Sequence, residues 1–403
     1  MNPYLRPAPS YRTLLFICCG VAFGCYCGTY MRLPVVPLYA TTLGADTVLV
    51  GIINAAFLLT AGAFSLPLGM VSDRLGPKLL ASLGLLILAG SSFLLYFSRT
   101  AGELVWIYLF SGVGLAAFGP TLMTLVANIS PATHLGRSYG WYTTALYSGM
   151  TLGPGMGGFI AQVWGFSTVF LASAVLTLLI LAVFLLSLPR TPLLHAARET
   201  PAPRPGGHAL LTNRPLLGCW LATLGGCFGL GMFITFLPLH AHHQGLQVAQ
   251  IGVIFSAQGL TNALTRLPFG YLSDMVKDRR VLVVAGLSGF ALALAGFAGS
   301  HSLPLFLLFS VILGSSMGLA FTSVGALIPL AVPFESLGLA MGGYNSCIYL
   351  GMMLSSAFMG PVIRLVGFKG GFLITALLNF FIIAAFQILM KGFTPSRKGA
   401  PRP

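Results

Sequence analysis

Apolar runs of roughly twenty residues, the length that crosses a bilayer as a helix, follow one another along the whole chain, broken at Gly, Pro and charged positions. Their spacing predicts spans near 12–40, 48–72, 78–98, 103–128, 138–163 and 167–188, and six more near 216–241, 248–273, 280–299, 303–330, 337–362 and 370–391. None has the period-two alternation of a membrane strand, so each run reads as a helix and the chain as all-α. Residues 189–215, rich in Pro and Arg, are the one long polar segment and read as a linker between an amino-terminal half (1–188) and a carboxy-terminal half (216–403). The first run begins after a short basic segment and outlasts the apolar core of a cleavable signal, so it reads as the first membrane helix.

Composition makes the membrane obligatory. Of 403 residues, 56% are apolar and 7% charged, and mean hydropathy is +0.91; a soluble domain carries about 25% charged residues. The net charge of +14 is a matter of topology: with the amino terminus cytoplasmic, 16 of the 21 Lys and Arg residues fall on the inner side. Only Arg99, Arg364 and Lys369 fall outside, while Arg32 and Arg266 stay within spans. The expectation is a multi-pass protein of the cell membrane with both termini cytoplasmic, the lipid bilayer as its partner and no nucleic acid. Cys18, Cys19, Cys25, Cys27, Cys219, Cys227 and Cys347 lie in apolar stretches and read as packing residues. His240, His242 and His243 lack an acidic or cysteine companion, and neither a metal site nor a cofactor motif is read anywhere.

The chain also repeats itself. An offset of 201 carries Pro37, Leu38, Gly44, Gly51, Ile53 and Ala56 onto Pro238, Leu239, Gly245, Gly252, Ile254 and Ala257, and Leu66, Pro67, Gly69, Ser72 and Asp73 onto Leu267, Pro268, Gly270, Ser273 and Asp274. An offset of 202 carries Gly140, Tyr142, Tyr147, Gly149 and Met150 onto Gly342, Tyr344, Tyr349, Gly351 and Met352. Duplicated halves with a site between them near the midplane are a recurring design of secondary transporters.

Two motifs carry the functional reading. After the second span stands Gly69-Met-Val-Ser-Asp73-Arg74-Leu-Gly76-Pro-Lys78, with a second copy at Gly270 and Asp274. A carboxylate at the membrane edge is costly unless paired. Asp73 is therefore expected to meet the amino-terminal end of a helix from the other half, near Ser336, and to latch one conformation. In the fifth span stand Gly140, Gly149, Gly153, Pro154, Gly157 and Gly158, where glycines four apart make a flat packing face and Pro154 removes a backbone hydrogen bond. On these motifs the chain resembles the major facilitator superfamily, whose loop between helices two and three has the form G-x-x-x-D-R-x-G-R-R. Pro77 replaces the first arginine of that final pair.

The resemblance implies twelve transmembrane helices in two six-helix pseudo-symmetric halves, no enzymatic activity, and an exporter of a small organic molecule, since the fifth-helix pattern is similar to that of drug/proton antiporters. Protons are the coupling ion so implied, and a monomer the working unit. The family's exporter arginine in the fourth helix is Tyr108 here. All seven acids, Asp46, Asp73, Glu103, Glu199, Asp274, Asp278 and Glu335, fall in loops or at span ends. An anionic or neutral amphiphile therefore suits the interior better than a cation. The candidate cavity residues are Gln258, Asn262 and Arg266, spaced by four on one helical face, with Arg32, Asn54, Tyr108, Tyr142, Tyr147, Tyr344, Asn345 and Tyr349. Arg32 and Arg266 have a competing reading as side chains snorkelling to the outer and cytoplasmic interfaces. An importer or symporter of an anionic metabolite, and a non-transporting sensor or scaffold, are the alternatives.

Overall fold

A computed structural model describes residues 10–188, 208–276, 278–333 and 336–393, apart from the side chains of Asp73, Arg74, Ala132, His208 and Ala209. Its helices are α1 (Tyr11–Met31), α2 (Val35–Thr42), α3 (Thr47–Leu75), α4 (Pro77–Phe97), α5 (Ala101–Ile129), α6 (Leu135–Trp164) and α7 (Phe166–Ser187), then α8 (His208–Leu211), α9 (Arg214–His243), α10 (Val248–Met275), α11 (Arg279–Gly299), α12 (Leu303–Ala331) and α13 (Leu337–Leu389). Among the described residues there is no strand, and nine segments are long and apolar enough to cross a membrane. The helices α6 and α10, at 30 and 28 residues, are as long but carry the glycine-rich and polar stripes. The first expected span is broken at Arg32-Leu33-Pro34 into α1 and α2.

At 53 residues α13 would be about 80 Å long if straight. It is not straight: Gly367 takes φ 73° and ψ 173°, a left-handed conformation open to glycine, and the chain reverses there. Both arms return to the start of α9. Trp220 Nε1 donates to the Ala340 carbonyl at 3.0 Å, while a Cβ on Gly218 would lie 3.4 Å from Leu389.

Side-chain contacts sort the loops into two ends. At the near end, which holds the start of α1, the Tyr11 ring lies 6.0 Å from His134, Lys78 Nζ donates to the carbonyls of Leu185 and Leu188, and Asn213 Nδ2 donates to the Ala331 carbonyl at 2.8 Å. At the far end, Tyr39 donates its hydroxyl proton to the Ser98 carbonyl at 2.8 Å, and the buried His240 donates from Nε2 to the Phe297 carbonyl at 2.9 Å. Large apolar side chains stand exposed around the bundle, among them Phe16, Leu186, Leu365 and Ile388. In water that surface would be a liability; in hydrocarbon it is the solvent-facing surface. All seven cysteines are free thiols, five of them buried.

Candidate functional site

Two helix seams, α6 against α10 and α3 against α13, join the chain before residue 188 to the chain after 208. In α6 the glycine motif divides its work between two faces. A Cβ on Gly153 would lie 2.6 Å from the Cys27 carbonyl oxygen, and one on Gly149 or Gly157 would run into the α1 backbone at Phe23 or Met31. Gly158 turns toward α10: a Cβ there would meet the Val248 carbonyl oxygen at 2.7 Å and Gly252 Cα at 3.0 Å. Along the same seam Gly155 donates its N–H to Ser256 Oγ at 3.0 Å, and Val248 donates its N–H to Gln162 Oε1 at 3.1 Å. Gly140 lies eighteen residues before Gly158, five full turns, and so shares its face. Among the described residues, no atom beyond its own turn of helix lies within 4 Å of where its Cβ would be.

The α3 seam grades in the same way. Gly51, Gly62 and Gly69 share one face of α3. A Cβ on Gly51 would collide with the Ser356 carbonyl of α13, one on Gly62 would lie 2.8 Å from Tyr349 Cβ, and one on Gly69 would meet nothing within 4 Å. Thr47 donates its hydroxyl proton to the Gly360 carbonyl at 3.1 Å at the far end, where Arg364 also stands 3.6 Å from Asp46. Both seams are thus closed at the far end and parted at the near end. Asn345, one turn nearer that opening than Tyr349, is exposed.

Where the seams part, polar side chains converge. The Arg266 guanidinium lies over the Tyr147 ring at 4.4 Å from its centroid, a cation–π contact between α10 and α6. Its Nε is buried and has no acceptor among the described residues. Tyr344 lies within electrostatic range of both Arg266 and Tyr147, and Tyr30 within range of Tyr147 and Tyr349. Tyr26 stands 6.3 Å from Tyr30, ring to ring, and within range of Tyr349. This apex, one guanidinium over Tyr147 and beside Tyr344 with the other phenols next to them, is the candidate site. It gathers Tyr147, Arg266, Tyr344 and Tyr349 from the sequence reading and adds Tyr26 and Tyr30, which that reading missed; their signal was a tyrosine pair four residues apart on one face of the first span. Arg266 does not snorkel: it is half-buried against Tyr147.

The other candidates lie in the surrounding packing. Gln258 points its Nε2 at Met317 Sδ, 3.1 Å away, and Asn262 is buried, its backbone N–H lying 3.0 Å from where a Cβ on Gly314 of α12 would be. Tyr142 is buried in the cluster formed by Cys18, Cys25 and Phe118, Asn54 is buried within α3, and Tyr108 is buried with its ring 5.8 Å from Phe57. Arg32 does not reach the outer interface either. It is 3% exposed, and its two terminal nitrogens point at Ser91 and Ser111.

At the near end Gly76 takes φ +87° between α3 and α4, as the sharp turn there requires. The Asp73 and Arg74 side chains, on which the expected latch rests, lie outside the described residues. Asp274 pairs with Arg279 at 2.9 Å, and Asp278 accepts the Arg280 Nε–H at 2.8 Å; that guanidinium holds the Asp278 carboxyl below the usual carboxylate range. Gly270, one helical turn before Asp274 in α10, has among the described residues only Thr322 near its Cβ position, at 3.9 Å.

Membrane-length helices, two glycine-lined seams and a polar apex between them define a membrane transporter fold. The Major Facilitator Superfamily model matches residues 18–248 and 219–403, and the chain belongs to that family. An MFS-type transporter of Methanocaldococcus jannaschii is 22% identical over 349 residues, covering 86% of this chain and 90% of its own. The quinolone resistance protein NorA of Staphylococcus aureus is 25% identical over 246 residues, 60% of this chain and 63% of NorA. Among solved structures, the nucleoside transporter NupG superposes with a TM-score of 0.80 at 16% identity, covering 94% of this chain and all of the other. A bacterial homologue of the lysosomal transporter Spinster, inward-facing and occupied, gives 0.78 at 14% identity, over 96% and 98% of the two chains.

Proposed function

We propose that the chain is a secondary-active exporter that carries a small anionic or neutral amphiphile by alternating access. It would cross the membrane of the cell twelve times, as two six-helix halves (1–188 and 216–403) joined by the 189–215 linker, with both termini in the cytoplasm and a monomer as the working unit. The nine apolar segments, α6 and α10, and the reversal within α13 support the twelve crossings. Gly44 and Gly245, related by the 201-residue offset, hold φ of +85° and +86°, which supports the repeat. With the near end cytoplasmic, the parted seams are an inward-open cleft.

The observation that carries the substrate class is the apex itself: Arg266 over Tyr147 with Tyr344 in range of both, and Tyr26, Tyr30 and Tyr349 joined to them through Tyr147. The four acids whose side chains are described, Asp46, Glu103, Asp274 and Asp278, all stand at helix ends. A guanidinium fits a carboxylate or other planar anion, phenols pack on apolar or aromatic bodies and donate a hydrogen bond, and no described residue at the apex neutralises a cation. The likeness to a protein named for quinolone resistance supports export. The seating of Gly158 on the α10 backbone supports a role for the glycine motif in holding one face shut.

The test is transport by purified protein in vesicles under an imposed pH gradient, with radiolabelled organic anions, neutral amphiphiles and cations as a panel. Movement of anions or neutral amphiphiles out of the cytoplasmic-side compartment against proton entry, reduced at least tenfold by Arg266→Gln, is the expected outcome. Movement of cations alone, or import of the same anions with protons, overturns the reading.

A further inference from the structure

Arg32 caps the carboxy-terminal end of α1 and is 3% exposed. Its reach places it deep in the bundle: Ser91 lies seven residues from Ser98 at the far end and Ser111 ten residues from Ala101, so the pair sits roughly 10–15 Å into the helices. A guanidinium stays charged at any accessible pH and offers five N–H donors. Among the described residues two of them find acceptors, Ser91 Oγ at 3.4 Å and Ser111 Oγ at 3.3 Å, both beyond the usual N–H···O range, while Nε is buried with none. The Ser91 hydroxyl proton goes to the Leu88 carbonyl at 2.9 Å, whereas among the described residues the Ser111 hydroxyl proton has no acceptor. The titratable groups within electrostatic range are the Tyr108 phenol and the Cys25 thiol, both neutral. Three elements, α1, α4 and α5, thus turn one cation and one free hydroxyl donor toward the same point and supply no negative charge.

A buried charge of this kind needs a counter-charge, and no described residue provides it. We infer that Arg32, with the Ser111 hydroxyl, holds a small monoanion, of the size of a halide or a single carboxylate, within the α1/α4/α5 packing. The site is separate from the Arg266 apex and stands or fails apart from the transport reading, because it is read by binding. The free halide and the carboxylate of an organic molecule share the required chemistry, and the titrations below distinguish them.

The test uses the purified full-length protein and its melting temperature. Chloride is titrated against gluconate at constant ionic strength, and formate is titrated in the same way. A saturable rise of several degrees, by mass action on the folded form, is expected with chloride if the site takes a free inorganic ion, and with formate alone if it takes a carboxylate group. Arg32→Gln abolishes the rise, and Arg364→Gln, which removes an exposed arginine, leaves it intact. Ser111→Ala keeps the guanidinium and raises the half-saturating concentration about tenfold. Folded wild type indifferent to both anions overturns the inference, as does an equal rise in Arg32→Gln. Should Arg32→Gln fail to fold, an unchanged half-saturating concentration in Ser111→Ala overturns it.

Discussion

The far and near ends of the two seams use the same helix faces in opposite ways. At the far end backbone meets backbone: Gly158 against Val248 and Gly252, Gly51 against Ser356, Gly360 against Thr47. At the near end Gly140 and Gly69, on the same faces of the same helices, have no atom of another described segment within 4 Å of a Cβ position. Between them, at the level of Tyr147 and Arg266 on one seam and of Gly62 and Tyr349 on the other, side chains take over from backbone. Glycine at a closed contact is a steric necessity, since the nearest atoms are carbonyls that cannot move aside. Glycine at an open one has no such reason in this conformation. On the alternating-access proposal, the near-end glycines serve a contact made in a second conformation, in which the near end closes and the far end opens.

The largest effect belongs to the closed end. Gly158→Leu drives a side chain into the Val248 carbonyl and Gly252, and overpacking of this kind costs about 1–3 kcal/mol. On that proposal only the far-closed conformation bears the cost, so the balance should shift toward far-open by roughly 5- to 150-fold. Spin labels at Thr42 and His243, both exposed at the far end, should move apart, and transport should fall at least tenfold. An unchanged distance would break the assignment of the seam as a gate.

Gly140→Leu probes the open end. With open space around it, the substitution should change the melting temperature little, within about 0.5 kcal/mol of stability. The far-end label distance should stay as in the parent. Transport should nevertheless drop severalfold, because the near-closed conformation has to accommodate the new side chain. Full activity would mean that this face never meets a neighbour.

The level at which the seams part tests the middle of the comparison. Tyr147→Leu removes the ring under Arg266 and should cost about 0.5–2 kcal/mol, read as a lowered melting temperature, while Tyr147→Phe keeps the face and most of the stability. Equal losses in the two variants would locate the effect in the hydroxyl and remove the cation–π contact from the account.

Much of the fold is legible in hydropathy alone, because a bilayer demands about twenty apolar residues per crossing and punishes charges inside it. The expected 138–163 and 248–273 agree closely with α6 and α10, and the expected break between 362 and 370 contains Gly367. The site was half legible. Tyr147, Tyr344 and Tyr349 follow from the repeat at its 202-residue offset, but Tyr26 and Tyr30 map by the 201-residue offset of the first spans onto Cys227 and Gly231, so the repeat carries no trace of them. Arg32 resisted for a different reason: distance along a helix gives depth, not azimuth, and a turn of the chain at Leu33-Pro34 decides that it faces Ser91 and Ser111 rather than the interface. The division of the α6 glycines between α1 and α10 depends likewise on which neighbour packs where.

The smallest effect separates contacts within one side of a seam from contacts across it. At the near end Asp278 is bound by Arg280, whose Nη1 also donates to the Met390 carbonyl at 3.0 Å, and all three belong to the chain after residue 208. The pair supports that part of the bundle without favouring either end. Its pH dependence has a definite sign. The depressed carboxyl contributes stability that is fully present above the ordinary Asp pKa of about 3.9 and is lost as pH falls through the lower folded value. Asp278 also accepts the Arg280 backbone N–H at 3.0 Å as the N-cap of α11, a role asparagine fills, so Asp278→Asn removes the charge and keeps the cap. With the Asp278 side chain 40% exposed, the loss at neutral pH should be at most about 1 kcal/mol. The melting-temperature gap between parent and variant should be constant from about pH 7 to 5 and close below about pH 4. The Thr42–His243 distance should be the same in both proteins at neutral pH; a change there would tie this near-end pair to the gate and erase the contrast between the two ends.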